Sequence, residues 1–190
     1  MPFEVEQKFP IIGDPLDLLE RMTAVGAIPA ETVFQQDLYF NHPSRDFAVT
    51  DEALRIRTIG KQNYVTYKGP KLDPRVKTRQ EIELPLGDGG EISDQFGQML
   101  TLLGFRAVRP VRKERTLWRL RWEDRDWELA WDDVEGLGTF LEIETITPDQ
   151  ADLPALQDLL LRLASLLRLQ GSERKSYLEM MLERYTADSK

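Results

Sequence analysis

Along the chain the apolar and polar side chains change rhythm several times, and each change marks an element. Residues 3–9 alternate: Val5 and Phe9 take one face, and Glu4, Glu6 and Lys8 take the other, the period of a strand. From Asp14 the period lengthens. Asp14-Pro15 supplies an N-cap and a first-turn proline, Leu16, Leu19, Met22 and Val25 form an apolar stripe, and Gly26 ends the helix. Strand rhythm returns over 33–41, 52–60, 62–69 and 76–86, with Gly60-Lys61 turning a hairpin between the middle two. Ser93 is expected to cap a second helix, with Phe96, Met99, Leu100 and Leu103 on one face and Gly104 as its stop. Strands resume at about 105–121, 125–133 and 138–146. Thr147-Pro148 then opens a helical tail to about 185, interrupted near Gly171-Ser172, whose Leu156, Leu159, Leu160, Leu163 and Leu167 form a packing stripe. Gly87-Asp88-Gly89-Gly90 reads as a loop, because no Gly-Lys-Ser/Thr ending follows to make it a phosphate cradle.

About eight strands, antiparallel by hairpin logic, and three or four helices predict an α+β fold whose sheet must cover or close its edges. The polar half of the alternation is informative. Arg55 and Arg57 stand opposite Leu54 and Ile56, and Lys68 follows Tyr64 and Thr66 opposite Val65 and Tyr67. Arg79, Glu81 and Glu83 oppose Ile82 and Leu84, and Lys113 and Arg115 repeat the spacing. Glu142 and Glu144 are read as lying opposite Leu141, Ile143 and, further along, Ile146. One such strand is the ordinary solvated face of a sheet. Over six strands the charges segregate, acids on the first and last and bases between, while amphipathic helices are available to cover the apolar faces. Helices outside and charges inside make a barrel with a polar lumen.

That lumen suits a triphosphate. Its roughly four negative charges call for Arg forks and Lys point charges. The paired carboxylates offer hard oxygen ligands to Mg²⁺ or Mn²⁺.

Composition removes competing chemistries. The chain has 190 residues, no cysteine and one histidine, His42, in a polar loop setting. Thiol nucleophiles, disulfides, thiolate zinc sites and His-relay triads are therefore out. A net charge of −8 argues against nucleic acid as a partner. No window resembles a membrane span, and the first residues carry acids where a signal peptide is basic, so a cytoplasmic location is expected. One domain over 1–190 is expected, its C-terminal helical segment covering about 147–186.

Glu4-Val5-Glu6-Gln7-Lys8 matches the ExExK signature of the CYTH superfamily, named for class IV adenylyl cyclase and thiamine triphosphatase. Further elements follow in order: residues 41–47 with Asp51-Glu52-Ala53-Leu54-Arg55-Ile56-Arg57, then Thr66-Tyr67-Lys68-Gly69-Pro70-Lys71 and residues 77–83. Asp132-Asp133-Val134-Glu135-Gly136-Leu137-Gly138, running on to Glu144, and Lys175-Ser176-Tyr177 complete the set. Together they resemble the cyclase-type branch over nearly the whole chain. The resemblance implies the triphosphate tunnel, an eight-stranded antiparallel β-barrel with flanking helices. It implies Glu4, Glu6, Asp132, Glu142 and Glu144 as metal ligands, and Lys8, Arg55, Arg57, Lys68, Lys113 and Arg115 as phosphate-binding residues. Glu81 and Glu83 fit the lumen without an assigned role.

The leading functional expectation is conversion of ATP to cyclic AMP and pyrophosphate. A triphosphatase acting on inorganic triphosphate, thiamine triphosphate or a nucleotide is the alternative. For it, the thiamine triphosphatase branch suggests Tyr39 with Lys68 as an acid–base pair. A non-catalytic nucleotide- or polyphosphate-binding module is the remaining reading. Cyclase-type relatives suggest a homodimer.

Overall fold

A computed structural model describes residues 3–72 and 77–188. Eight strands are described: β1 (Phe3–Pro10), β2 (Ile28–Asn41), β3 (Ala53–Ile59), β4 (Gln62–Lys68), β5 (Lys77–Asp88), β6 (Arg106–Trp122), β7 (Arg125–Val134) and β8 (Gly138–Thr147). They close into a barrel in the order β1-β5-β4-β3-β2-β6-β7-β8, and every neighbouring pair is antiparallel. Closure removes the exposed sheet edges that the strand count made a problem. The expected start of β5 at Val76 lies outside the described residues.

Among the described residues, five α-helices dress the barrel. In α1 (Pro15–Ala24), Asp14 Oδ1 accepts from the Leu16 amide at 3.0 Å, and Gly26 at φ +93° lets the chain turn away. With α4 (Leu153–Leu166), it covers the outer faces of β1 and β6–β8, where Val5, Leu129, Leu141 and Ile143 meet Met22, Leu156, Leu160 and Leu163. Each such side chain, removed from water completely, stabilises by roughly 1.5–3 kcal/mol. α3 (Gly90–Leu102) lies over β2 and β3 through Leu100 against Phe40 and Ile56. The short α2 (Phe47–Thr50), capped by Asp46, and α5 (Tyr177–Asp188) flank one mouth of the barrel. Ser176 and Glu179 form a reciprocal box at the start of α5: the Glu179 amide donates to Ser176 Oγ, and the Ser176 amide to the Glu179 carboxylate.

Several local expectations change. α3 starts at Gly90 after Gly89, and Ser93 lies inside it with Oγ donating to the Gly90 carbonyl, so Ser93 is not the cap. Gly89, at φ +96°, provides the backbone bend that ends the loop and leads into α3. β2 begins at Ile28 rather than near 33, because pairing with the long β6 carries it outward. Thr147 ends β8 and does not open a helix; a 3-10 turn (Gln150–Asp152), capped by Asp149, intervenes before α4. The break before α5 is wider than Gly171-Ser172: it begins with Arg168 at φ +55°, and the Glu173 amide donates to the Lys8 carbonyl at 2.7 Å.

Candidate active site

Alternation along the strands sends one residue in two into the barrel, and the inward set is charged. The lumen and its mouth enclose a cavity of about 560 Å³. On β3, Arg55 and Arg57 are opposite Tyr39 and Asp37 of β2. Asp37, 3% exposed, accepts from Arg57 Nε at 2.8 Å and from Arg55 Nη1 at 3.0 Å. Burial alone would raise this carboxyl; Arg55 and Arg57 outweigh it and hold Asp37 far below the ordinary carboxylate range.

A second group of partners sits on β6, β7 and β8. Asp132 is wholly buried and accepts from Lys113 Nζ at 2.8 Å, from Arg115 Nε and Nη2 at 2.6 Å, and from the Tyr177 hydroxyl at 2.9 Å. Arg115 also donates to Glu142. Lys8 Nζ is 3.9 Å from Glu142 and 3.7 Å from the centre of the Tyr177 ring, a cation–π contact in a dry setting. Burial first, and Arg115 second, bring the Lys113 ammonium down to about 8, against the pull of Asp132 and Glu142.

Acids dominate where β1 meets β8 and β5. Glu6 and Glu144 are register partners, and Glu4, Glu6 and Glu144 each offer a carboxylate oxygen within 4.8 Å of the others. Lys68 Nζ reaches Glu4 at 2.6 Å and Glu81 at 2.8 Å. Burial pushes Glu4 well up; Lys68 opposes this, and Glu6 and Glu144 add to it. Burial raises Glu144 to about 7, with Lys68 resisting and Glu6 reinforcing. Burial also works on Glu81, but Lys68 overrides it and holds Glu81 at about 2. Crowded carboxylates with more repulsion than one lysine can cancel suit a hard divalent cation, which wants oxygen ligands and supplies charge. The donor set therefore fits Mg²⁺ or Mn²⁺.

The five expected metal ligands divide. Glu4, Glu6 and Glu144 converge, whereas Asp132 and Glu142 stand among Lys113, Arg115 and Lys8. The six expected phosphate-binding residues all line the one cavity. Tyr39 and Lys68 also line it, but the Tyr39 hydroxyl lies 3.5 Å from Arg55 Nη1, and among the described residues no hydrogen bond joins it to Lys68. Burial lowers the Lys68 pKa, and Glu4 with Glu6 reverses this, so Lys68 is held protonated above its ordinary range. Ile146 is corrected: it has the parity of Glu142 and Glu144 and lines the lumen beyond them, with Ile59 and Leu117.

Asp37, Tyr177 and Glu128 are lumen residues that the charge pattern along the strands did not single out. Asp37 shares the parity of Tyr39 on a strand already recognised, and Glu128 is the register partner of Glu144, so parity alone could have found both. Tyr177 could not be found that way, since it enters from a helix.

The sequence matches the CYTH domain over residues 2–177, and the chain belongs to that family. It is 39% identical over 179 residues to a candidate adenylate cyclase of Methanocaldococcus jannaschii, covering 93% of this chain and 97% of the other. It is 30% identical over 196 aligned residues to the adenylate cyclase CyaB of Aeromonas hydrophila, 98% and 93% of the two chains. The solved PH1819 protein of Pyrococcus horikoshii superposes with a TM-score of 0.83 at 35% identity, covering 95% of this chain and 99% of that one. A Hippeastrum protein described as having a dominant triphosphatase activity shares the fold at 20% identity and a TM-score of 0.62, over 98% and 96% of the chains.

Proposed function

We propose that the protein is a divalent-metal-dependent adenylyl cyclase, converting ATP to cyclic AMP and pyrophosphate. The observation that carries the triphosphate reading is one closed lumen with the Glu4–Glu6–Glu144 trio on one side and a Lys/Arg wall on the other. The names of the two curated relatives favour cyclisation over hydrolysis.

In this reading the ribose 3′-oxygen bonds to the α-phosphorus, the bond to the pyrophosphate oxygen breaks, and the hydroxyl proton leaves to solvent or a carboxylate. Glu4, Glu6 and Glu144 would hold Mg²⁺ or Mn²⁺, which when bound acidifies a hydroxyl and polarises a phosphate. Arg55, Arg57, Lys113 and Arg115 bind phosphate oxygens by exchanging Asp37, Asp132 and Glu142 for substrate, and stabilise charge growing on pyrophosphate. Lys68, kept protonated, serves as a cation and hydrogen-bond donor rather than as a base. Phe47, Ala48, Leu178 and Leu182 give one mouth an apolar wall suited to the organic part of a nucleotide.

Hydrolysis of a triphosphate is the second reading, favoured by the Hippeastrum protein of the same fold and by Tyr39 reaching the cation wall beside Arg55. Purified protein with Mg²⁺ or Mn²⁺, given ATP and separately inorganic triphosphate, decides. Cyclic AMP with equimolar pyrophosphate is expected from ATP. Orthophosphate release without cyclic AMP would reject cyclisation, and tight binding without turnover would leave a binding module.

A further inference from the structure

Among the described residues the cations of the tunnel are matched by acids with one exception. Arg55 and Arg57 share Asp37, Lys113 and Arg115 share Asp132, Lys68 sits between Glu4 and Glu81, and Lys8 has Glu142. Arg79 has no such partner. It lines the same cavity, is 6% exposed, and its Nε is buried without a hydrogen-bond partner. Among the described residues no hydrogen bond or ion pair holds its guanidinium. The local structure enforces this. Thr78 faces outward, where Gln157 of α4 donates to its Oγ1 at 2.9 Å, so Arg79 must face the lumen. Glu4 is directly across the β1–β5 ladder from Arg79, yet its carboxylate faces Lys68 Nζ, at 2.8 and 2.6 Å, and no hydrogen bond joins it to Arg79 among the described residues.

A buried guanidinium that no acceptor hydrogen-bonds is costly to the folded state, since the hydrogen bonds of its lost hydration are not replaced by the protein. A tunnel that binds an anion supplies the replacement. We propose that Arg79 is a substrate-binding residue that takes an oxyanion of the triphosphate on the acid-lined side of the tunnel, next to Glu4. This rests on the triphosphate reading above and deepens it. The other cations gain a phosphate only by giving up a carboxylate, so part of each new contact is cancelled by an old one. Arg79 gives up nothing of the kind, and its planar fork suits two phosphate oxygens at once. It therefore contributes more to affinity than its matched neighbours, and it contributes through charge and fork geometry together.

The test is calorimetric titration of inorganic triphosphate, with Mg²⁺ and again in EDTA, into the unaltered protein, Arg79→Met and Arg79→Lys, alongside thermal melts without ligand. Arg79→Met is expected to weaken binding by about 30-fold or more while the unliganded melting temperature holds or rises, because a buried guanidinium that lacks hydrogen-bond partners is gone. Arg79→Lys keeps a point charge without the fork and is expected to fall between the two, at about 5-fold. Binding by Arg79→Met equal to that of the unaltered protein overturns the assignment, as does a lowered melting temperature with affinity retained, the mark of a scaffold residue. If Arg79→Met does not fold, the Lys variant decides alone: unchanged affinity overturns the proposal. Absence of binding by the unaltered protein would instead sink the triphosphate reading itself, and this assignment with it.

Discussion

The hydroxyl of Tyr177 and the carboxylate of Asp132, far apart in the chain, meet at 2.9 Å and fasten the first residue of α5 to the inner wall of the barrel. The Tyr177 ring adds contacts with Phe140, 5.3 Å between centres, and with Lys8. A helix held only by its own packing would be free to swing from the mouth; this one is pinned inside it. Tyr177→Phe keeps the ring and loses the bond, and is expected to cost about 1 kcal/mol. Tyr177→Ala also empties the ring's place and is expected to cost about 3 kcal/mol and to expose the C-terminal segment to protease. Melting curves and limited proteolysis read both, and equal stability of the three proteins would refute the anchor.

Asp37 makes a pH prediction. Its carboxyl is held below its ordinary range in the folded protein, so it contributes stability that is present at neutral pH. That contribution begins to fade as pH falls below the unfolded value of about 4 and continues to fade toward the lower folded value. Asp37→Asn leaves Arg55 and Arg57 without their shared partner and is expected to lose about 3 kcal/mol at pH 7. The gap to the unaltered protein should narrow between pH 4 and pH 3, measured by denaturant melts. A gap that stays constant across that range would show that Asp37 is not ionised in the fold.

The acidic trio predicts a metal dependence. Glu144→Gln removes one anionic oxygen and one source of repulsion. Half-maximal activation is expected to need about 10- to 100-fold more Mg²⁺ or Mn²⁺, with activity partly recovered at high metal. The unliganded protein should melt no lower than before, since burial and Glu6 already disfavour a charged Glu144. EDTA should abolish turnover in both proteins. An unchanged metal titration would place the ion elsewhere.

Outside the barrel, Leu160 is fully buried between α4 and the sheet. Leu160→Ala is expected to cost about 3 kcal/mol. Its turnover at a temperature well below the new melting point should be unchanged, because the strand residues packed against that layer, such as Val5 and Leu141, alternate with the inward-facing ones. Lost activity in a protein that still melts cooperatively would show that the outer core tunes the tunnel.

Much of this molecule could be read from the chain because a barrel turns a one-dimensional rhythm into an inside and an outside. Glu4, Glu6 and Lys8 had to share a face, as did Arg55 and Arg57, and parity alone delivers them to the lumen. Parity also shows the slip at Ile146, which takes the side of Glu144. What the chain did not reveal depends on pairing between distant strands. Asp37 is an ordinary acid until β2 lies against β3, and the Lys113, Arg115 and Tyr177 that surround Asp132 meet it only once β6, β7 and α5 come together. The lack of a hydrogen-bond partner for Arg79 is less visible still, since it depends on the Glu4 carboxylate across the ladder facing Lys68. Helix ends escaped for a local reason: Ser93 has the chemistry of a cap, but Gly89 has the backbone freedom that the turn requires.

The seam between β1 and β8 also has a history in time. Its register runs from Phe3 with Thr147 to Pro10 with Phe140, so β1 must wait until β8 has been made before that side can pair. Closing so long a loop is slow, and the entropy is lost before the contacts return it. Glu4 and Glu6 stand on one side of this seam and Glu144 on the other. The three carboxylates therefore come together only when the barrel shuts, and a cation captured there would act as a latch on the finished fold, stabilising it by mass action.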